Sequence, residues 1–462
     1  MKEKFNPALL WVFILGYIFY FGLISIMKFN SFGYYDFDLA VHDLTVWNIL
    51  HGSIYNSILG IPFLGNHMHL ILFFIAPIYA IFRHPLTLLM LQTIALGLAS
   101  LPLYRLAGNL LDKNWALVIS IAYLFYPALG YTNLFEFHPT VFATLFLMLT
   151  LYYYEQRSFV KCIIFMFLSS ICQENIPLAI IMFGVLAVFN RRSLKWIIAP
   201  ILLGVSWFLI ALFTIAYFNN NTVQFVSIYQ HLGNTPLQMI SNIIIHPSIL
   251  LKTLIRRQSF IYLLQIFGPL SFIPLFNPIW LIPSLPFFLQ HMLSNRPADL
   301  TILYHYTAEI IPFLFVSFIY GIKFLLKKQW ATHQKFLKVS LLSMLFLSNV
   351  YLGPHFIMLP RLIQQYKKDY LDIYKGKFIN KIPPWAPVVA TFEFLPHLSH
   401  RHSLYSFHHV YMGFYTLSDK RYDLPKDVEY ALIDFNDFLT FRGFYMRKAH
   451  PKRYEYYLRY CR

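Results

Sequence analysis

Along this chain apolar residues run in blocks of about fifteen to twenty-five, parted by short polar breaks, with little of the alternation a half-buried strand would show. Such blocks suit helices that cross a hydrocarbon core of about 30 Å, which takes about twenty apolar residues. The pattern predicts helices near 8–27, 85–105, 114–132, 139–154, 160–173, 176–190, 196–218, 258–274, 277–293, 307–324 and 338–352. Eleven crossings bring Arg105 and Lys113, Arg157 and Lys161, Arg191, Arg192 and Lys195, and the group from Lys323 to Lys338 to one side with Lys2 and Lys4. That is the parity the positive-inside rule asks for, with a cytoplasmic N-terminus. No small-x-small cleavage site follows Lys28, so the first block reads as an uncleaved helix.

Three stretches break the regularity. His67 to Phe82 is short, is entered through Asn66-His67-Met68-His69 and contains Pro77; counting it as a span would reverse the parity. It is predicted to be a re-entrant or interfacial helix on the outer face. The blocks at 160–173 and 176–190 are short for a crossing and suit a helical hairpin with Gln173-Glu174-Asn175 at its outer tip. From Gly353 on, no span-length block remains; Val388–Thr391 and Tyr430–Asp434 read as short strands with helical stretches between. The expected fold class is therefore an α-helical polytopic membrane protein of about eleven transmembrane helices. Residues 1–352 would be the transmembrane part, and 353–462 a small soluble extracytoplasmic α/β domain.

Composition supports the class. Hydrophobic residues make up 58% of the chain and charged residues 12%, which excludes an ordinary soluble fold. The net charge of +17 collects in short loops and in the tail, so it speaks for membrane topology and anionic lipid rather than nucleic acid. Cys162, Cys172 and Cys461 show neither a disulfide framework nor zinc spacing.

The parity gathers the unusual polar residues on the outer face. Asp36, Asp38, His42 and Asp43 stand in the first loop; His67 and His69 enter the re-entrant helix; Glu136 and His138 lie between the third and fourth helices. Glu174 tips the hairpin, Arg256 and Arg257 precede the eighth helix, and Arg296, His305 and Tyr306 precede the tenth. Acids and cations at one interface suit a ligand with a hydroxyl and a phosphate: a carboxylate can act as base, while Arg, His or a divalent cation neutralises phosphate. Each residue also has a plainer role open to it. Asp38 precedes Leu39-Ala40-Val41 at an N-cap position, Glu174 could be a solvated tip, and the arginine pair could anchor headgroups. The tail histidines, His397, His400, His402, His408 and His409, lack metal-site spacing.

The run Asp36-Phe37-Asp38-Leu39-Ala40-Val41-His42-Asp43 is followed in order by Gly65-Asn66-His67, Pro77-Ile78-Tyr79, Leu91-Gln92 and Leu101-Pro102-Leu103-Tyr104. Glu136-Phe137-His138-Pro139, Gln173-Glu174-Asn175, His305-Tyr306 and Leu395-Pro396-His397-Leu398-Ser399 complete the series. Over nearly its whole length the chain thus resembles a bacterial and archaeal family of membrane proteins, domain of unknown function 2079. That family in turn resembles the GT-C superfamily of polytopic glycosyltransferases. One departure is Gln173, where the family pattern has Lys before the acid.

The resemblance implies a GT-C-like fold with outer juxtamembrane helices. It also implies transfer of a sugar from a polyprenyl-phosphate donor to an acceptor hydroxyl on the outer face of the cell membrane. By position it makes Asp36 or Asp38 the base and puts His42, Asp43, His67, Glu136, His138, Glu174, Arg296, His305 and Tyr306 around the substrates. Asp36, Asp38 and Glu136 are the candidates to hold a divalent cation such as Mg or Mn. The competing expectations are a transporter or flippase of a lipid-linked or anionic substrate, and a non-catalytic scaffold that uses the 353–462 region.

Overall fold

The computed structural model describes residues 8–220, 228–328, 332–354, 363–364, 370–416 and 420–441. Lys2, Lys4 and Cys461 lie outside them, as does much of the expected C-terminal domain beyond residue 441.

Nearly every apolar block forms helix. In chain order these are α1 (Ala8–Asn30), α2 (Asp38–Leu50), α3 (Ile71–Tyr79), α4 (Pro85–Leu98), α5 (Ser100–Leu110), α6 (Lys113–Leu124), α7 (Pro127–Leu134), α8 (Val141–Glu155), α9 (Phe159–Ser170), α10 (Ile176–Phe189) and α11 (Leu194–Phe218). Then follow α12 (Pro236–Ile245), α13 (Pro247–Leu254), α14 (Arg257–Phe267), α15 (Leu285–Leu293), α16 (Ile311–Lys327) and α17 (Gln334–Tyr351). Among the described residues three helices are long and apolar enough to cross a membrane: Ala8–Asn30, Pro85–Leu110 and Leu194–Phe218. Two bent pairs, α6 with α7 at 44° and α12 with α13 at 96°, would bring that number to five. Val12, Phe19, Phe213 and Tyr217, each more than 60% exposed, show which faces of α1 and α11 need lipid around them.

Differences from the expected helices trace to proline. The blocks expected as full helices at 258–274 and 277–293 hold only α14 and α15; between them run 3-10 turns at Gly268–Leu270, Ile273–Phe276 and Pro278–Ser284. Pro269, Pro274, Pro278 and Pro283 each lack the N–H that an α-helix needs there. The re-entrant or interfacial helix expected over 67–82 contracts to the nine residues of α3. The α12–α13 elbow at His246-Pro247, which turns Leu237, Ile244 and Leu251 outward, was not foreseen.

Glycine sets one packing contact. A Cβ on Gly184 of α10 would stand 2.7 Å from the Ile197 carbonyl, and one on Gly204 of α11 would stand 2.6 Å from the Pro177 carbonyl. The two helices therefore pack backbone to backbone, as small residues allow in membrane bundles.

The C-terminal segment forms a three-stranded parallel sheet in the order β4 (Leu404–Ser406), β3 (Val388–Ala390), β5 (Tyr430–Leu432). Strands β3 and β5 fall where the sequence placed them; β4, Leu404-Tyr405-Ser406, lies among polar residues and was not expected. This sheet does not stand apart. Val388, Ala390, Phe392, Leu395 and Leu404 share a core with Phe32, with Ala40, Val41 and Leu44 of α2, and with Ile58. Ile58 belongs to a hairpin of β1 (Tyr55–Asn56) and β2 (Ile61–Pro62), whose neighbouring Ser57 hydroxyl donates to the Leu404 carbonyl at 2.8 Å and accepts from the Leu404 amide at 2.9 Å. Helix α2 thus lies between the helical bundle and the tail.

Candidate active site at the head of the second helix

The site is built on the loop between α7 and α8. Two residues from other helices hold that loop. Lys28, in the last turn of α1, donates to the carbonyls of Leu134 and Phe135 at 2.8 and 2.7 Å. Gln92 of α4, fully buried, donates to the carbonyls of Asn133 and Glu136 and accepts the His138 amide at 2.9 Å. A Lys and a Gln inside apolar helices are costly to bury unless paired; here their partners are the carbonyls and amide of one loop.

Held this way, Glu136 points back at α2. Its Oε1 accepts the Asp36 amide at 3.0 Å and its Oε2 accepts the Leu39 amide at 2.7 Å. Asp38 is therefore not the N-cap expected of it: Phe37 occupies that position without a side-chain bond, Asp38 stands in the first turn, and the capping acid comes from about a hundred residues away. Relieved of capping, the Asp38 carboxylate accepts from His138 Nε2 at 3.0 Å with 36% of its side chain exposed. Asp36, half-buried, receives the Phe37 amide on Oδ1 at 2.9 Å.

The two aspartates differ electrostatically. Burial, and then the neighbouring Asp38 charge, push the Asp36 carboxyl up to about 6, against the Phe37 amide, His138 and Arg296. Burial also works upward on Asp38, but His138, through charge and hydrogen bond, with His42 and His67, holds that carboxyl below its ordinary value. Glu136 is pushed up to about 8 by burial and then by Asp36 and Asp38, against the pull of Lys28 and the Leu39 amide.

A shell of histidines surrounds the pair. His138 stacks on His305 with ring centroids 3.3 Å apart, and His42 lies 5.2 Å from His69 and 6.1 Å from His138. Burial pushes His42, His69 and His305 well below the usual imidazole value. His69 Nε2 and His305 Nδ1 are buried with no hydrogen-bond partner among the described residues. Arg296 is held by Asp299 through Nε and Nη2 at 2.9 and 2.6 Å and lies 4.7 Å over the Tyr306 ring. It acts on Asp36 as a nearby positive charge.

Two expected site residues are spent elsewhere. Asp43, wholly buried, accepts from Tyr79 Oη at 2.6 Å and from Ser399 Oγ at 2.6 Å and lies 3.1 Å from His400 Nε2. It joins α2 and α3 to the tail and does not face Asp36. Glu174 is no solvated tip: it meets His67 Nδ1 at 2.6 Å and the Met68 amide at 3.2 Å. The same tip binds Thr140 through Gln173, and Glu309 and Gln290 through Asn175. Arg256 donates to the carbonyls of Met292 and Ser294.

The residues do not fit the cation site expected of Asp36, Asp38 and Glu136. Both Glu136 oxygens accept backbone amides, Asp38 is bonded to His138, and among the described residues no three of His, Cys, Asp and Glu are set to hold an ion.

Sequence reading missed Lys28, Gln92, Tyr79, Ser399 and His400. Gln92, Tyr79 and Ser399 lay within motifs already noted and His400 among the tail histidines; for Lys28 and Gln92 the signal overlooked was a polar side chain where its helix is otherwise apolar.

Comparison with curated proteins finds no match. Among solved structures, the crystal structure of the Archaeoglobus fulgidus oligosaccharyltransferase, tethered to an acceptor peptide with the NVT sequon, aligns at 12% identity and a TM-score of 0.44. The alignment covers 85% of this chain and 63% of that one, so this chain spans less than two thirds of that enzyme's length. Residues 28–454 match the family described as predicted membrane protein (DUF2079), and the chain belongs to that family.

Proposed function

We propose that this protein is a membrane glycosyltransferase of the GT-C type, which moves a sugar from a polyprenyl-phosphate donor to an acceptor hydroxyl at the outer face of the cell membrane. The observation that carries the reading is the divided pair Asp36 and Asp38. Two aspartates one residue apart have environments that push their affinities for protons in opposite directions.

Asp36 is the base. A carboxylate raised to about 6 is still ionised at neutral pH, yet takes a proton more readily than an ordinary aspartate. It removes the acceptor's hydroxyl proton as that oxygen bonds to the anomeric carbon. On the opposite face the bond from that carbon to the phosphate oxygen breaks, and the electron pair leaves with the lipid phosphate. One base and one displacement give inversion. Asp38 remains an anion fixed by His138 and orients the acceptor. Arg296, kept in place by Asp299 and Tyr306, offers positive charge to the departing phosphate. The unpartnered nitrogens of His69 and His305 are polar contacts left for sugar hydroxyls. These carboxylates stand at the head of a helix rather than between two halves of a broken one, which favours transfer over transport.

The test is consumption of radiolabelled polyprenyl-phosphate sugars by purified wild type and by the Asp36→Asn/Asp38→Asn double variant. Loss of label from the donor with wild type alone supports the reading. Equal consumption by both removes the first-loop base, and binding of donors without consumption moves the protein to the transporter class.

A further inference from the structure

A polar pocket lies at the far end of the helix that begins beside the site. α8 starts just after His138 and ends at Glu155, about 22 Å away at 1.5 Å per residue. There, with the end of α10 and the middle of α16, it opens a pocket of about 340 Å³ lined by Glu155, Arg157, Asn190, Arg192, Trp280 and Tyr320. The volume is in the range of small-ligand sites.

Its chemistry is that of an anion site. Arg192, nine-tenths buried, uses Nη2 on the Tyr154 carbonyl at 3.2 Å and on Glu155 at 3.3 Å. Its Nη1 is buried with no hydrogen-bond partner among the described residues. An unsatisfied guanidinium nitrogen is expensive to bury, and the Arg192 side chain lines the pocket together with Arg157. The guanidinium is fixed from behind by the rings of Tyr154 and Trp196, 4.8 and 5.6 Å away. Glu155 is committed to Arg192 and the Tyr320 hydroxyl, which leaves Arg157 at the exposed rim as the second cation. Trp280 and Tyr320 stack at 4.5 Å as an aromatic wall, the pairing that membrane proteins keep at the headgroup level.

We infer that this pocket binds a phosphate group, presented by an anionic phospholipid headgroup or as free phosphate. A basic pocket between helix ends is the kind of site that takes lipid phosphates. The inference does not depend on the proposed transfer activity.

The full chain is reconstituted in nanodiscs of phosphatidylcholine mixed with phosphatidylglycerol, and lipid retained on release is read by native mass spectrometry. In a second arm, delipidated protein is heated with and without inorganic phosphate. Wild type should keep phosphatidylglycerol in preference to phosphatidylcholine. Arg192→Gln should keep about tenfold less, the worth of a charge-assisted hydrogen bond. Arg157→Gln, whose exposed side chain makes folding a lesser concern, should keep about fivefold less. Lys161→Gln, a basic residue outside the pocket, should behave as wild type. A phosphate-induced rise in melting temperature that both Arg variants lose identifies free phosphate as the ligand; retention of phosphatidylglycerol without that rise identifies the lipid. No preference and no thermal shift in wild type overturns the inference, as does equal loss in Lys161→Gln and Arg157→Gln.

Discussion

Glu136 Oε2 accepts the amide of Leu39 at 2.7 Å, while its other oxygen accepts the amide of Asp36. An acid in the second loop thus shapes the backbone that presents the first-loop aspartates, and its role is to position them. Glu136→Gln replaces one acceptor with an NH2 group facing a backbone N–H. The expected cost is about 1–3 kcal/mol for the unpaired donor. Amide exchange at residues 36–39 should quicken, and kcat for donor consumption should fall while KM changes little. A variant with wild-type exchange and no activity would instead make Glu136 a participant in the chemistry.

Asp36→Asn should lower transfer by about 10²-fold or more, the usual worth of a general base. In wild type the rate should fall as pH drops through about 6, because Asp36 takes up its proton there and can no longer accept one. The measurement is the pH profile of kcat/KM. A rate independent of pH between about 5 and 7, roughly one unit either side of that value, would reject Asp36 as base.

His138 controls where that limb lies. It pulls the proton affinities of both Asp36 and Asp38 downward. His138→Gln keeps a donor near Asp38 but removes the imidazole, so burial acts on both carboxyls with less opposition and the acid limb should move to higher pH. An unmoved limb with reduced kcat would mean that His138 contributes packing on His305 alone.

Much of this was legible in the chain. Blocks of apolar residues gave the helices because the bilayer demands a fixed length, and β3 and β5 showed as short apolar runs among polar and turn-forming residues. Several of the acids and histidines singled out in the chain meet around Asp38: Glu136, His138, His42, His305 and, through His69, His67. Their roles were less legible. Whether an acid binds substrate or caps a distant helix depends on tertiary neighbours, so Glu136 and Asp43 carried the same signal as Asp36. The lengths of α14 and α15 were also hidden, since apolar blocks interrupted by Pro269, Pro274, Pro278 and Pro283 keep their hydropathy while losing hydrogen bonds. Docking of the tail left no periodicity to read: Tyr79, Ser399 and His400 look like ordinary loop and helix residues until Asp43 is seen between them.

That buried junction predicts how the tail is held. Asp43 has no exposed surface and takes its partners from α3 and from the segment after Leu398, so it is a connection between the bundle and the C-terminal sheet. Asp43→Asn keeps the size but puts a donor against the Tyr79 or Ser399 hydroxyl, leaving groups unsatisfied at about 1–3 kcal/mol. Tyr79→Phe removes one bond and should cost less, about 1 kcal/mol. Proteolysis between residues 390 and 404 should quicken in the order wild type, Tyr79→Phe, Asp43→Asn. Because α2 shares its core with that sheet through Ala40, Val41 and Leu44, donor consumption should fall along the same series. Faster proteolysis with unchanged turnover would show that the tail docks on α2 without holding the aspartates in place.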